Sequence, residues 1–236
     1  MIIAFDLDDT LYDEIDFVYN GFNSVARYLE KKSNLKKKIT LKFLKKNFLK
    51  NRNQKLFNLL SKNFDLKLSI SQIKKLVNLY RYNSYSLKMK KERSLVLNKI
   101  FKQKKLYLVT DGNPKVQQLK IKKLKIKEYF KKIYYTFLFG GKAHKPSLKT
   151  FNYIIKREKI DYSKLIYIGD NPFKDFKNLN KKGAITIRFI NGYYRNTLIK
   201  RKIAKYEINN FRDLIKILKN IEQKKLISKK IQNNLF

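Results

Sequence analysis

The chain has 236 residues, 43% of them hydrophobic, with no Cys, a single His and a formal net charge of +39. That length suits one large domain or one domain carrying an insert, and the apolar content excludes wholesale disorder. Without Cys there is no disulfide, thiolate nucleophile or Cys-ligated zinc, and with only His144 there is no multi-His metal site.

No apolar run approaches the roughly 20 residues that span a bilayer. MIIAFDLDDT reaches its first acid after five residues, too soon for a secretory leader. A cytoplasmic protein with no membrane partner is expected. The first element is IIAF (2–5), a short apolar run of the buried-strand type. It leads into Asp6, Asp8, Asp9, Asp13, Glu14 and Asp16, six of the 18 acids within 11 residues, where an even spread would place fewer than one. Like charges at this density repel one another, and a bound divalent cation is one reason to keep them.

Residues 14–87 contain no strand-like run. Helical spacing recurs instead, in Val18, Phe22, Val25, Tyr28 and Leu29, then Leu41, Phe43, Leu44 and Phe48, then Ile73, Leu76, Val77 and Tyr80. The pattern predicts a small helical domain inserted after the first strand. Tyr12, Asp13 and Glu14 would form its entry hinge, outside the chemistry, and KMKKER (88–93) the return linker.

Beyond the linker, KKLYLVTDG (104–112), KKIYYT (131–136), KLIYIGD (164–170) and AITIRF (184–189) read as further strands. Helices are predicted over 114–124, opened by Pro114, over 147–158, and over 173–182, closed by Gly183. YEI (206–208) and a helix over 210–225 add an edge unit, and the basic tail 222–236 is expected to fray. Strands alternating with helices predict a parallel α/β sheet. Glu158 and Asp161 read as ordinary surface acids, and His144 as a solvent-facing loop residue.

Function in a parallel sheet gathers outside the carboxyl ends of the strands. Those ends carry Asp6 and Asp8, which at i and i+2 face the same way. They also carry Thr110, followed by Asp111-Gly112-Asn113, and Gly169-Asp170, with Asp175 five residues on. Gly112 permits close backbone approach and, with the Thr110 hydroxyl and the N–H groups ahead of Pro114, makes an anion cradle. Lys145 adds a point charge. Carboxylates suit Mg²⁺, and a hydroxyl and a Lys suit the non-reacting oxygens of a phosphate. One Asp can attack phosphorus while a second handles the leaving-group proton, which makes this a phosphoryl-transfer site.

Taken in order, FDLDDT, LYLVTDG, the Lys of HKPS, and IGDNPFKD make the sequence resemble the haloacid dehalogenase (HAD) superfamily, in particular its phosphatases with a type-1 cap. The resemblance implies an α/β fold: a Rossmann-like parallel sheet core with helices on both faces (1–13 and 88–236) and an inserted small α-helical cap domain (14–87). It implies that Asp6 is the nucleophile that becomes an aspartyl phosphate. Asp8 is the acid and later the base, and its backbone carbonyl touches the metal. Thr110 and Lys145 bind the transferring phosphate, with Asp111 and Gly112 in the same substrate loop. The metal ligands implied are Asp6, Asp8, Asp170 and Asp175, around Mg²⁺. Relatives often place a substrate-contacting basic residue on the cap, and Arg81, in LYRYN of the insert, is the candidate for it, although a surface helix residue explains it as well. Dehalogenases of the superfamily lack an acid at the position of Asp8, so the resemblance implies a Mg²⁺-dependent phosphatase. Its substrate would be a small phosphorylated metabolite (a sugar phosphate, phosphoglycolate or a nucleotide), with a sugar-phosphate mutase as a minor alternative. The insert would act as a mobile lid that sets substrate choice.

The charge raises an alternative, a nucleic-acid-end phosphatase or a basic nucleic-acid-binding protein. Of the 57 basic residues, however, 48 are Lys and only nine Arg, spread evenly along the chain. Guanidinium is the group for bidentate phosphate and base-edge contacts, so an Arg-poor surface argues against specific readout. Codon bias accounts for the Lys, and non-specific nucleic-acid binding confined to low salt is expected.

Overall fold

The computed structural model describes residues 1–52, 54–199 and 202–233. In chain order the elements are β1 (Ile2–Phe5), α1 (Glu14–Ser33), α2 (Lys37–Lys50), α3 (Leu56–Asn63), α4 (Ile70–Arg81), α5 (Lys91–Phe101), β2 (Leu106–Thr110), α6 (Pro114–Leu124), β3 (Lys132–Tyr135), α7 (Lys149–Glu158), β4 (Leu165–Gly169), α8 (Lys177–Lys181), β5 (Ile185–Phe189), β6 (Tyr206–Ile208) and α9 (Asp213–Asn233). They form two compact units, Met1–Asp13 with Lys88–Phe236, and Glu14–Leu87. No helix among the described residues is long and apolar enough to cross a membrane.

The first unit is built on a six-stranded sheet in the order β3-β2-β1-β4-β5-β6. Every pairing is parallel. The order reverses between β1 and β4, so the connections on either side run away from each other and open a crevice at the carboxyl ends of these central strands. β1, β2, β4 and β5 are buried along their whole length. That is why they read as unbroken apolar runs rather than as alternating ones. Ile2, Ala4, Tyr107, Val109, Leu165 and Tyr167 pack with Phe151 and Ile154 of α7. Phe5, pointing to the other face, meets Phe130 and Phe211, with ring centroids 6.4 and 6.5 Å away.

The second unit contains α1–α4 around Val18, Phe22, Val25, Leu29, Leu44, Phe48, Phe57, Leu60 and Leu76. Gly21 lets α4 approach α1, since a Cβ there would lie 2.4 Å from the Tyr80 ring. α4 starts with a capping box, in which the Ser69 side chain accepts from the Gln72 N–H and the Gln72 side chain accepts from the Ser69 N–H. α3 is not foreshadowed in the sequence reading, because its eight residues bury only Phe57 and Leu60, too few for a period to show.

Three boundaries differ from expectation. α5 starts at Lys91, so the linker ends at Lys90 and Arg93 is a buried helical residue rather than part of a solvated connection. The predicted helix 173–182 is helical only over Lys177–Lys181. The preceding residues turn sharply, with the Asp175 N–H bonded to the Asn171 carbonyl and the Asp175 carboxylate bonded back to the Asn171 N–H. α9 runs to Asn233, so the expected fraying tail is helical up to that point, and 234–236 lie outside the described residues.

Asp13, the last residue of the first unit's N-terminal segment, ties together three parts of that unit. Its Oδ1 accepts from Arg93 Nη2 (2.7 Å) and Asn191 Nδ2 (3.0 Å), and its Oδ2 lies 2.6 Å from Lys90 Nζ. Burial works against its charge, but Lys90, Asn191 and Arg93 outweigh it and hold the carboxyl at about 2. A depressed folded pKa contributes stability that is present above the unfolded value and is lost as the pH falls toward the folded one. Solvent screening of the half-buried carboxylate and the exposed Lys90 reduces that contribution, so Asp13→Asn should destabilise the protein by about 1 kcal/mol at neutral pH. In urea melts the gap to the native chain should narrow as the pH is lowered from about 5 to about 3. A gap independent of pH would place the effect outside the ion pair.

Candidate active site

β1 ends at Phe5, and the sheet spacing carries one residue further, where the Asp6 N–H donates to the Ile168 carbonyl of β4 (2.8 Å). β4 ends at Gly169, and the turn that follows folds Asp175 back over it. A Cβ at Gly169 would lie 2.5 Å from Asp175 Oδ2, so only glycine allows the carboxylate into this place. Asp6, Asp170 and Asp175 thus each present a carboxylate oxygen within 4.8 Å of the others, and all three are buried.

Lys145 stands in this group with its side chain wholly buried. Its Nζ is 2.6 Å from Asp6 Oδ1, 2.8 Å from Asp175 Oδ1 and 2.8 Å from the Tyr167 hydroxyl. Burial disfavours the ammonium, but Asp175 and Asp6 outweigh it and raise Lys145 well above the ordinary lysine range. Burial is also the main cause that pushes Asp6 up to about 7, with Asp175 adding to it and Lys145 opposing. Asp170 is raised well above the carboxylate range, by burial first and then by Asp175, Asp6 and Asp9. Three buried oxygen donors in mutual repulsion, with no nitrogen or sulfur ligand among them, are the donor set of a hard divalent cation. The residues fit Mg²⁺.

The Asp8 carboxylate lies outside this cluster and has its own set of donors. Oδ1 accepts from the Tyr12 hydroxyl (2.5 Å) and Lys120 Nζ (2.7 Å), and Oδ2 accepts from Gln117 Nε2 (2.8 Å). The same Gln117 nitrogen lies 2.6 Å from Thr110 Oγ1. Burial opposes the charge on Asp8, yet Lys120, Tyr12 and Gln117 together hold its carboxyl below the usual range. Tyr12 is therefore not a mere hinge residue: it is fully buried and bonded to Asp8. Sequence reading missed Gln117, Lys120 and Tyr167. A signal existed for the first two. Both fall within the buried stripe of α6, with Val116, Ile121 and Leu124, so they are polar side chains at core positions of the helix that follows the Thr110 strand.

Asp111 turns its carboxylate onto the Thr136 hydroxyl (2.7 Å), the Lys145 N–H (3.1 Å) and Lys174 Nζ (3.2 Å), so it fixes the backbone that carries Lys145. Gly112 has φ +108°, open to glycine and strained for other residues. The Asn113 side chain caps α6 by accepting from the N–H groups of Lys115 and Val116. Arg81 ends α4 in the helical unit. It lines a cavity of about 360 Å³ together with Arg52, Lys55, Phe57 and Tyr80.

The acidic run does not form one cation site, as its density suggested. Only Asp6 joins the carboxylate cluster. Asp8 bonds to Lys120, Asp9 accepts from the Tyr193 N–H, Asp13 pairs with Lys90 and Arg93, and Glu14 pairs with Arg52. Glu158 is not an ordinary surface acid either: its side chain is 10% exposed and takes two bonds from Lys131. Asp161 and His144 are exposed.

The sequence pattern of the family described as Haloacid dehalogenase-like hydrolase matches residues 3–189. The chain is 27% identical over 234 residues to a glyceraldehyde 3-phosphate phosphatase of Methanocaldococcus jannaschii, covering 94% of this chain and 98% of the relative. Among solved structures, a HAD phosphatase from Thermococcus onnurineus superposes with a TM-score of 0.59 at 24% identity, covering 92% of this chain and 97% of the other. The HAD-hydrolase YfnB from Bacillus subtilis, bound to magnesium, superposes with a TM-score of 0.67 at 20% identity, with the same coverage. These two likenesses concern the fold.

Proposed function

The chain belongs to the haloacid dehalogenase-like hydrolases, and from that membership we propose that it is a phosphatase releasing inorganic phosphate from a small sugar phosphate of the glyceraldehyde 3-phosphate class. The observation that carries this reading is the buried ammonium of Lys145 between Asp6 and Asp175, beside Asp170, at the carboxyl ends of β1 and β4. The substrate class rests on the names of the relatives.

In this reading Asp6 attacks phosphorus, a bond forms from its carboxylate oxygen, and the ester P–O bond breaks. The electron pair leaves on the alkoxide, which takes a proton from the minor, protonated form of Asp8. Water then attacks the aspartyl phosphate and Asp8 takes its proton. The bond to the Asp6 oxygen breaks and phosphate departs. Lys145 favours the ionised form of Asp6 against its burial and balances charge on the phosphoryl oxygens, and the Thr110 hydroxyl holds one of them. Asp6, Asp170 and Asp175, with the Asp8 carbonyl, would hold Mg²⁺, whose charge offsets the repulsion between an anionic nucleophile and an anionic ester.

The test is a panel of glyceraldehyde 3-phosphate, phosphoglycolate, nucleoside monophosphates and end-phosphorylated oligonucleotides, each assayed with Mg²⁺ and with chelator. The highest kcat/KM is expected on a small sugar phosphate, with activity lost on chelation and restored by Mg²⁺. Full activity in chelator would remove the metal. Preference for oligonucleotide ends at physiological salt would replace the substrate class and give the +39 charge a role.

A further inference from the structure

Resting on the phosphatase reading, we propose that Lys120 and Gln117 are positioning residues for Asp8, orienting its carboxylate so that Oδ2 receives the proton of the attacking water. α6 follows directly on the Thr110 strand, and Asn113 and Pro114 fix its first turn. Gln117 and Lys120 are three residues apart and so share a face. They are 2% and 4% exposed. A lysine this deep is costly unless paired, and its Nζ lies 2.7 Å from Asp8 Oδ1.

A carboxylate oxygen accepts about two hydrogen bonds. Among the described residues, Oδ1 receives Tyr12 and Lys120, while Oδ2 receives Gln117 alone. Oδ2 is thus the oxygen with capacity for a proton from water. Gln117 keeps it beside the phosphate loop, because its amide nitrogen contacts both Asp8 Oδ2 (2.8 Å) and Thr110 Oγ1 (2.6 Å). In the step concerned, the water oxygen bonds to phosphorus and the P–O bond to Asp6 breaks. The electron pair returns to the Asp6 carboxylate, and the water proton goes to Asp8 Oδ2.

A carboxylate without Lys120 can rotate away, and loss of orientation in a proton transfer costs roughly 10²-fold. Formation of the aspartyl phosphate from a nitrophenyl ester needs little proton donation, so the loss should fall on the second step. With nitrophenyl phosphate, Lys120→Met should lower kcat by roughly 10²-fold and KM in proportion, leaving kcat/KM nearly unchanged. Rapid mixing should show a burst of about one nitrophenolate per enzyme. Lys120→Arg, which keeps the cation, should restore most of kcat. If Lys120→Met does not fold, Lys120→Gln is read in the same way. The inference is overturned if kcat is unaffected, or if kcat and kcat/KM fall together without a burst and Arg does not rescue. Native enzyme that turns over no phosphomonoester would instead remove the phosphatase reading, and this inference with it.

Discussion

If Asp6 is the nucleophile proposed above, Asp6→Asn should abolish turnover of every phosphomonoester, with a loss on the order of 10⁴–10⁶-fold, and should leave the protein folded. An amide is neither an anion nor able to form an acyl phosphate, and it is nearly isosteric with the carboxylate. Mass measurement must exclude deamidation back to Asp. The same substitution should raise the melting temperature by a few degrees at about pH 8 in chelator. Burial and Asp175 push the Asp6 carboxyl up to about 7 despite Lys145. An acid whose folded pKa is raised favours the folded state below its unfolded pKa, and that contribution is lost as the pH climbs to the folded value. The native chain in chelator should therefore lose stability between about pH 4 and 7, and Asp6→Asn should lose less. Residual activity in deamidation-free protein would remove Asp6 as nucleophile. A destabilised Asp6→Asn would show that the bond to Lys145 outweighs the crowding of carboxylates.

Lys145→Met should have two large effects. Turnover should fall by roughly 10²–10³-fold, the scale of losing a preorganised charge at a developing anion. Stability should fall by about 3–5 kcal/mol, because Asp6 and Asp175 would lose the buried cation within 2.8 Å of both. Adding Asp175→Asn to Lys145→Met separates the two, since neutralising one orphaned carboxylate should recover stability and leave turnover low. Equal recovery of both would make Lys145 a structural residue only. Denaturant melts and turnover of a sugar phosphate give the two readouts.

The strands were legible because a strand buried on both faces has to be apolar throughout, and IIAF, LYLVT, LIYIG and ITIRF have almost no alternative use. Asp6, Thr110 and Asp170 then follow from where the apolar runs stop. Short or shared elements were less legible. α3 has too few apolar residues to show a period, α8 shrinks because the turn around Asp175 takes its first residues, and the apolar spacing of α5 was hidden behind a basic run.

The sequence by itself determined the alternating α/β order, the strand ends and the chemistry those ends carry, since each depends on neighbours along the chain. Only the tertiary structure decided which Lys among 48 are buried and what each acid faces. Lys120 and Lys145 look like any other Lys until α6 and the loop before α7 bring them to Asp8 and Asp6, 112 and 139 residues away in the chain. Likewise Asp6 and Asp8 are only two residues apart, and their spacing does not say what each carboxylate meets: Asp6 lies with Asp170 and Asp175, Asp8 with Tyr12, Gln117 and Lys120. Charge pairing acts through space over a few ångströms, and a linear spacing carries no information about which distant groups the packing of helices on a sheet will place within that range.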